Sequence, residues 1–313
     1  MRDLLISATL LRSMQAKPAI RYLACLVTAV FACWLAAHDF PVLKAKAAGG
    51  PIDAQRPAGG KPAASPWRLA WSEEFNAPDG SAPDPGKWTY DLGGNGWGNH
   101  ELESYTSRPE NVRIAGGDLV ITARQEQYTD AEGITQPYTS ARLKTQGLFA
   151  QAYGRFEARI KIPRTQGIWP AFWMLGDDIG RVDWPDCGEI DIMENIGREP
   201  GMVYGSLHAP SFVAPTSDAS KGAALPGGRS YADDFHLYAV EWEPGVLRFY
   251  VDSNNYATFT QSEWPKGGRW VFDHPFFIIL NVAVGGDWPK NPDGSSQFPQ
   301  QMLVDYVRVY SRG

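Results

Sequence analysis

The chain has 313 residues, 43% hydrophobic and 20% charged, a composition that lets a globular domain bury a core. Its net charge is −6; the segment through Ala47 holds six of the 29 basic and two of the 35 acidic residues, so the remainder carries 23 and 33, a net −10. That balance argues against nucleic acid as a partner, because phosphate binding needs a basic face, and points to a neutral ligand.

In chain order, Arg12, Lys17 and Arg21 precede an uncharged run from Tyr22 to Ala37, and Ala45-Lys46-Ala47 offers a small-x-small cleavage pattern. Residues 1–47 are therefore expected to be a secretory signal peptide, with an uncleaved N-terminal anchor as the alternative. The product is expected to be secreted, extracellular or periplasmic, or else membrane-tethered. Residues 48–66, rich in Gly, Ala and Pro, read as a flexible linker. Residues 67–313 are expected to form the folded domain, which the patterns below make a catalytic β-sandwich. Cys25 and Cys33 lie in the apolar run, which leaves Cys187 alone and the domain without a disulfide. Cys187 itself reads as a small buried residue without chemical role.

From Trp67 onward the apolar segments are short, often alternating, and separated by Gly, Pro, Asn or Asp. Period-two patterning predicts strands over 118–124, 154–162, 238–242, 246–251 and 302–310, each with one wet face. No long amphipathic helix competes with them. The class is all-β, with two stacked sheets or a barrel as the architectures that hide sheet edges. Residues 211–229 read as a loop.

Glu189-Ile190-Asp191-Ile192-Met193-Glu194 carries the chemistry. Side chains alternate faces in a strand, so Glu189 and Asp191 share one face, but Glu194 lies an odd five residues from Glu189. A β-bulge at Ile192-Met193 would insert one extra residue and return Glu194 to the acidic face. Trp169, Trp173 and Trp184 nearby supply flat apolar faces on which pyranose rings stack. Two carboxylates flanking one bond suit glycoside hydrolysis, and acids sharing a strand favour the close, retaining arrangement. Mutual repulsion should raise at least one pKa and keep a proton for the leaving oxygen. An acidic solvent-facing edge is the plain alternative for such a pattern taken alone.

Six ordered segments extend the pattern: Ser72-Glu73-Glu74-Phe75-Asn76, Gly94 to Asn99 with Glu101 and Tyr105, Tyr138 to Thr145, Gly167 to Met174, Gly188 to Asn195, and Phe277 to Gly286. With these the sequence resembles glycoside hydrolase family 16, in its laminarinase (endo-β-1,3-glucanase) branch. The resemblance implies a jelly-roll β-sandwich of two antiparallel sheets with a concave substrate cleft, and double displacement with retention. It implies Glu189 as nucleophile, Glu194 as general acid/base and Asp191 as the residue that positions the nucleophile. It places Asn95, Arg142, Trp169, Trp173, His208 and Trp288 on the substrate or in support of the acids. Read alone, His208 is a structural histidine, and the two tryptophans four apart serve core or cleft alike. The resemblance also implies a structural calcium ion held by Glu74, Gly117 and Asp305, and no cofactor for catalysis. The expected partner is a β-glucan, with no stable protein partner and a monomeric state. The alternatives are a same-fold enzyme on another polysaccharide such as lichenan or a galactan, a transglycosylase, and, against the presence of all three acids, a non-catalytic glucan-binding module.

Overall fold

The computed structural model describes residues 67–313, so expectations on residues 1–66 lie outside the described part. With strands numbered in chain order, one sheet of seven runs β12 (Ser217–Ala224), β11 (Met202–Ala209), β10 (Glu189–Glu194), β9 (Ile168–Gly176), β16 (Phe276–Val284), β7 (Arg142–Lys144) and β2 (Thr89–Asp91). The other sheet, of ten, runs β15 (Asn254–Thr260), β14 (Val246–Val251), β13 (His236–Glu243), β8 (Gly154–Lys161), β17 (Gln300–Arg312), β5 (Asp118–Thr129), β6 (Thr135–Ser140) and β3 (Glu103–Tyr105). To it β1 (Trp67–Glu73) adds alongside β17, and β4 (Val112–Ala115) alongside β5. Helix is confined, among the described residues, to Ile179–Val182 and two 3-10 turns, and no helix there is long and apolar enough to cross a membrane.

The two sheets stack because each strand's alternation leaves one apolar face to bury. Phe156, Val240, Trp242 and Phe249 from the ten-stranded sheet share a core with Phe172, Ile190, Leu207, Phe276 and Ile278 from the seven-stranded one. Strand β16 is buried along its whole length. Its alternate residues Phe277 and Ile279 leave the main core and join Leu175 and Cys187 in a second apolar cluster, against which Trp173 packs. Trp173 thus has an apolar bed on the face turned away from the sandwich interior.

The expected strands are present within a few residues. One expectation needs correction, and the antiparallel pattern, which holds for every other strand pair among the described residues, has one exception. Residues 211–229 are not all loop, since Ser217–Ala224 forms β12, the edge of the seven-stranded sheet. Its sequence of Ser, Asp, Ala, Lys and Gly lacks the β-branched and aromatic residues that mark strands, and pairing with β11 along its full length supplies the order instead. The exception to the antiparallel pattern is β3, which pairs β6 in parallel, Glu103 opposite Tyr138. The chain reverses at the β4–β5 and β5–β6 turns, which returns β6 to the direction of β3.

Candidate active site

Strand β10 is bulged where the odd spacing requires it. Against β11, Asp191 lies opposite Ser206 and Glu194 opposite Tyr204, three residues matched to two; against β9, Asp191 faces Trp173 and Met193 faces Phe172, two matched to one. Ile190, Ile192 and Met193 are all fully buried in the main core. The two adjacent apolar side chains Ile192 and Met193 drive the bulge, since a regular strand would expose one of them. Gly188 sets the entry to the strand at φ 72°, and a Cβ there would stand 2.8 Å from a Val271 methyl.

Each acid is held by a different neighbour. Trp184 Nε1 donates to Glu189 Oε2 at 2.7 Å. Trp169 Nε1 donates to Glu194 Oε1 at 3.0 Å, and the Ser206 hydroxyl reaches Oε2 at 3.5 Å. Asp191, only 3% exposed, has His208 Nε2 3.1 Å from its Oδ2. His208 stands directly across from Glu189 on β11, and its Nδ1 lies 2.7 Å from Oδ1 of Asp218, its cross-strand partner on β12. Thr216 donates to the other Asp218 oxygen at 2.7 Å. A row therefore runs from Asp218 through His208 to Asp191 and Glu189, with the imidazole between acids on either side.

Burial drives the electrostatics. Glu189 is raised above its usual value by desolvation and, against the pull of His208, by the Glu194 charge. Desolvation and the neighbouring Glu189 charge raise Asp191 as well. Desolvation, with the Asp191 charge, pushes Glu194 up to about 8. For His208 burial alone would favour the neutral ring, but its contacts with Asp191 and Asp218 outweigh that and hold it well above the usual imidazole range. At neutral pH the site therefore holds an imidazolium among acids, with a proton retained on Glu194.

Aromatic side chains extend this face. Trp173 Nε1 donates to Asn281 Oδ1 at 2.7 Å, Asn281 Nδ2 donates to the Tyr105 hydroxyl at 3.0 Å, and that hydroxyl donates to Glu101 at 3.1 Å. Arg142 is ion-paired to Asp91 at 2.9 Å, and its guanidinium lies 4.7 Å from the Trp173 ring centroid and 4.8 Å from that of Trp97. Trp288 meets Trp169 edge-on at 5.5 Å and Tyr204 at 5.3 Å.

The contacts thus join Glu189, Asp191, Glu194, Trp169, Trp173, His208, Trp288 and Arg142 into one continuous surface. Asn95 stands apart: its Oδ1 accepts the backbone N–H of Trp97 at 3.0 Å, so it shapes the turn that presents Trp97 to Arg142. Of the residues expected to hold calcium, Glu74 and Asp305 are ion-paired. Both Glu74 oxygens accept from Arg308, at 2.9 and 2.7 Å, Asp305 accepts from Arg159 at 2.7 Å, and Gly117 closes the β4–β5 hairpin at φ 85°. Calcium needs a ring of free oxygens, and these carboxylates are engaged by guanidinium groups. Ser206, Asp218 and Asn281 belong to the site without a local mark in the sequence, and Trp184, expected there as an aromatic face, serves as a hydrogen-bond donor to Glu189. The register of β12 against β11, which sets Asp218 opposite His208, is the signal that finds Asp218.

The family model of Glycosyl hydrolases family 16 matches residues 100–308. The chain is 44% identical over 256 residues to the Beta-glucanase of Rhodothermus marinus, covering 78% of this chain and 85% of that one. Among solved structures, the laminarinase catalytic domain from Thermotoga maritima superposes with a TM-score of 0.72 at 47% identity, covering 78% of this chain and 98% of that one. The endo-beta-1,3-glucanase from Pyrococcus furiosus gives a TM-score of 0.73 at 46% identity, with 78% and 94% covered.

Proposed function

The chain belongs to Glycosyl hydrolases family 16, in its laminarinase branch, and from that premise we propose that it hydrolyses internal β-1,3 bonds of a laminarin-like glucan with retention of configuration. The observation that carries the proposal is the bulge of β10, which sets three carboxylates on one face while desolvation keeps a proton on Glu194. Glu189 attacks the anomeric carbon as Glu194 gives its proton to the departing oxygen. Glu194, now charged, takes a proton from water, which releases the sugar from Glu189. Asp191, between them and against His208, orients Glu189 and moderates its charge. Trp169 and Trp173 supply ring-stacking faces, each fixed by an indole N–H bond.

Product analysis on laminarin, lichenan and agarose tests the substrate. Laminarin cut to a ladder of oligosaccharides is expected; cleavage of lichenan alone would overturn the β-1,3 assignment, and laminarin cleavage unchanged by Glu189→Ala would end the catalytic one. Calcium is left out of the proposal, since Glu74 and Asp305 are committed to Arg308 and Arg159. We infer export from the N-terminal sequence, with residues 1–47 removed and the domain acting as a monomer. A cell-bound product keeping its first 47 residues would instead indicate the tether.

A further inference from the structure

We propose that Glu189, Asp191 and His208 also form a binding site for a divalent cation of the zinc type, and that the bound ion blocks the nucleophile. One ligand atom from each residue lies within 4.8 Å of the other two, the one such grouping found among the described residues. Asp191 is 3% exposed, and its Oδ2, though 3.1 Å from His208 Nε2, is left without a hydrogen bond. That buried oxygen and the His208 ring nitrogen already face each other within the cluster.

The donor set selects the ion. Zinc takes three protein ligands from imidazole and carboxylate at about 2.0–2.2 Å and leaves a fourth position open. Tetrahedral ligands at that distance stand roughly 3.4 Å apart. The His208–Asp191 pair is already that close, and a pair at the 4.8 Å limit must contract by about 1.4 Å. Glu189, at the start of its strand, would supply that movement by giving up the Trp184 indole bond. Calcium and magnesium prefer more ligands, all oxygen, and would not use the imidazole.

Behind the ring, Asp218 lies 2.7 Å from His208 Nδ1, and Thr216 holds its other oxygen. A carboxylate on the far nitrogen of a metal-bound histidine fixes the tautomer and turns the Nε2 lone pair toward the ion. The exchange is balanced without redox change: the cation takes the place of the Nε2 proton, which passes to solvent. Two carboxylates then neutralise the dication. With Glu189 committed to the ion it cannot attack carbon, so zinc and glucan exclude each other.

The test is calorimetric titration of the full chain with zinc chloride in chelator-free buffer. One saturable site per chain is expected, reversed by EDTA and weakened by a soluble β-1,3-glucan oligosaccharide. His208→Gln should weaken zinc at least tenfold, Asp218→Asn on the order of 10- to 100-fold, and Glu194→Gln, outside the ligand set, should leave the stoichiometry intact. Zinc bound by His208→Gln with wild-type affinity, or no saturable site at millimolar zinc in the wild type, would overturn the proposal. Should His208→Gln not fold, Asp218→Asn decides by the same readout. Heat is read without turnover, so a chain that binds zinc but cuts no glucan would end the proposed function and leave this site standing.

Discussion

On the ten-stranded sheet Glu74 takes both hydrogen bonds of the Arg308 guanidinium and sits below the usual carboxylate range because of them. Glu126, bonded by Thr139 and Arg108, is lowered as well. On the seven-stranded sheet Glu189, Asp191 and Glu194 meet indole N–H groups, a serine hydroxyl and one histidine, with no arginine or lysine in contact among the described residues, and all three are raised. The same residue types are thus fixed as charges on one sheet and left costly to ionise on the other. A guanidinium at Glu194 would have removed the proton that the leaving oxygen needs; at Glu74 it only ties β17 to the end of β1.

Breaking the costly side of this contrast should have the largest effect. Glu189→Ala is expected to reduce laminarin hydrolysis to background, and Glu194→Gln to lower kcat on the order of 10²- to 10⁴-fold, with both proteins keeping the wild-type far-ultraviolet circular dichroism. Rates with a substrate bearing an activated leaving group separate the two roles, since Glu194→Gln should recover in part and Glu189→Ala should not.

The pH profile comes next in size. Glu189 must be charged to attack, and its raised value puts the acid limb above the ordinary carboxylate range. Glu194 must hold its proton, so activity should fall on the alkaline side near its value of about 8. A profile flat from neutral to pH 9 would contradict the retained proton.

Asp218→Asn sharpens the contrast from one residue further out. Without that carboxylate His208 gives up its proton at lower pH, and a neutral His208 no longer eases the ionisation of Glu189. The acid limb should therefore move to higher pH, with kcat/KM lowered about tenfold at neutral pH. A loss of activity without any movement of the limb would make Asp218 merely structural. The smallest effect is expected on the neutralised side: Glu74→Gln should cost about 1 kcal/mol or less in thermal unfolding and leave kcat/KM unchanged.

Much of this was legible in residue order, for identifiable reasons. Alternation gave the long strands their places, and the five-residue offset between Glu189 and Glu194, with Ile192 and Met193 both apolar, forces the bulge on any strand that buries one face. What stayed hidden depends on partners distant in sequence. Glu74 finds Arg308 across 234 residues, which no local pattern announces, and the expected calcium ligands are closed by such pairs. Strand β12 lacks strand-forming side chains and is ordered by β11, so Asp218 was lost with it. Trp184 sat in view beside the acids, but its indole bond to Glu189 requires the turn that folds it back over the strand.

The central claim is that Glu189 attacks carbon while Glu194 carries the proton, and the configuration of the first product tests it most directly. Proton NMR of laminarin during the first minutes of digestion should show the β-anomer of the new reducing ends appearing first, with the α-anomer rising only as mutarotation proceeds. An α-anomer that appears first would mean that water, not Glu189, meets the anomeric carbon, and would contradict the arrangement of acids described for β10.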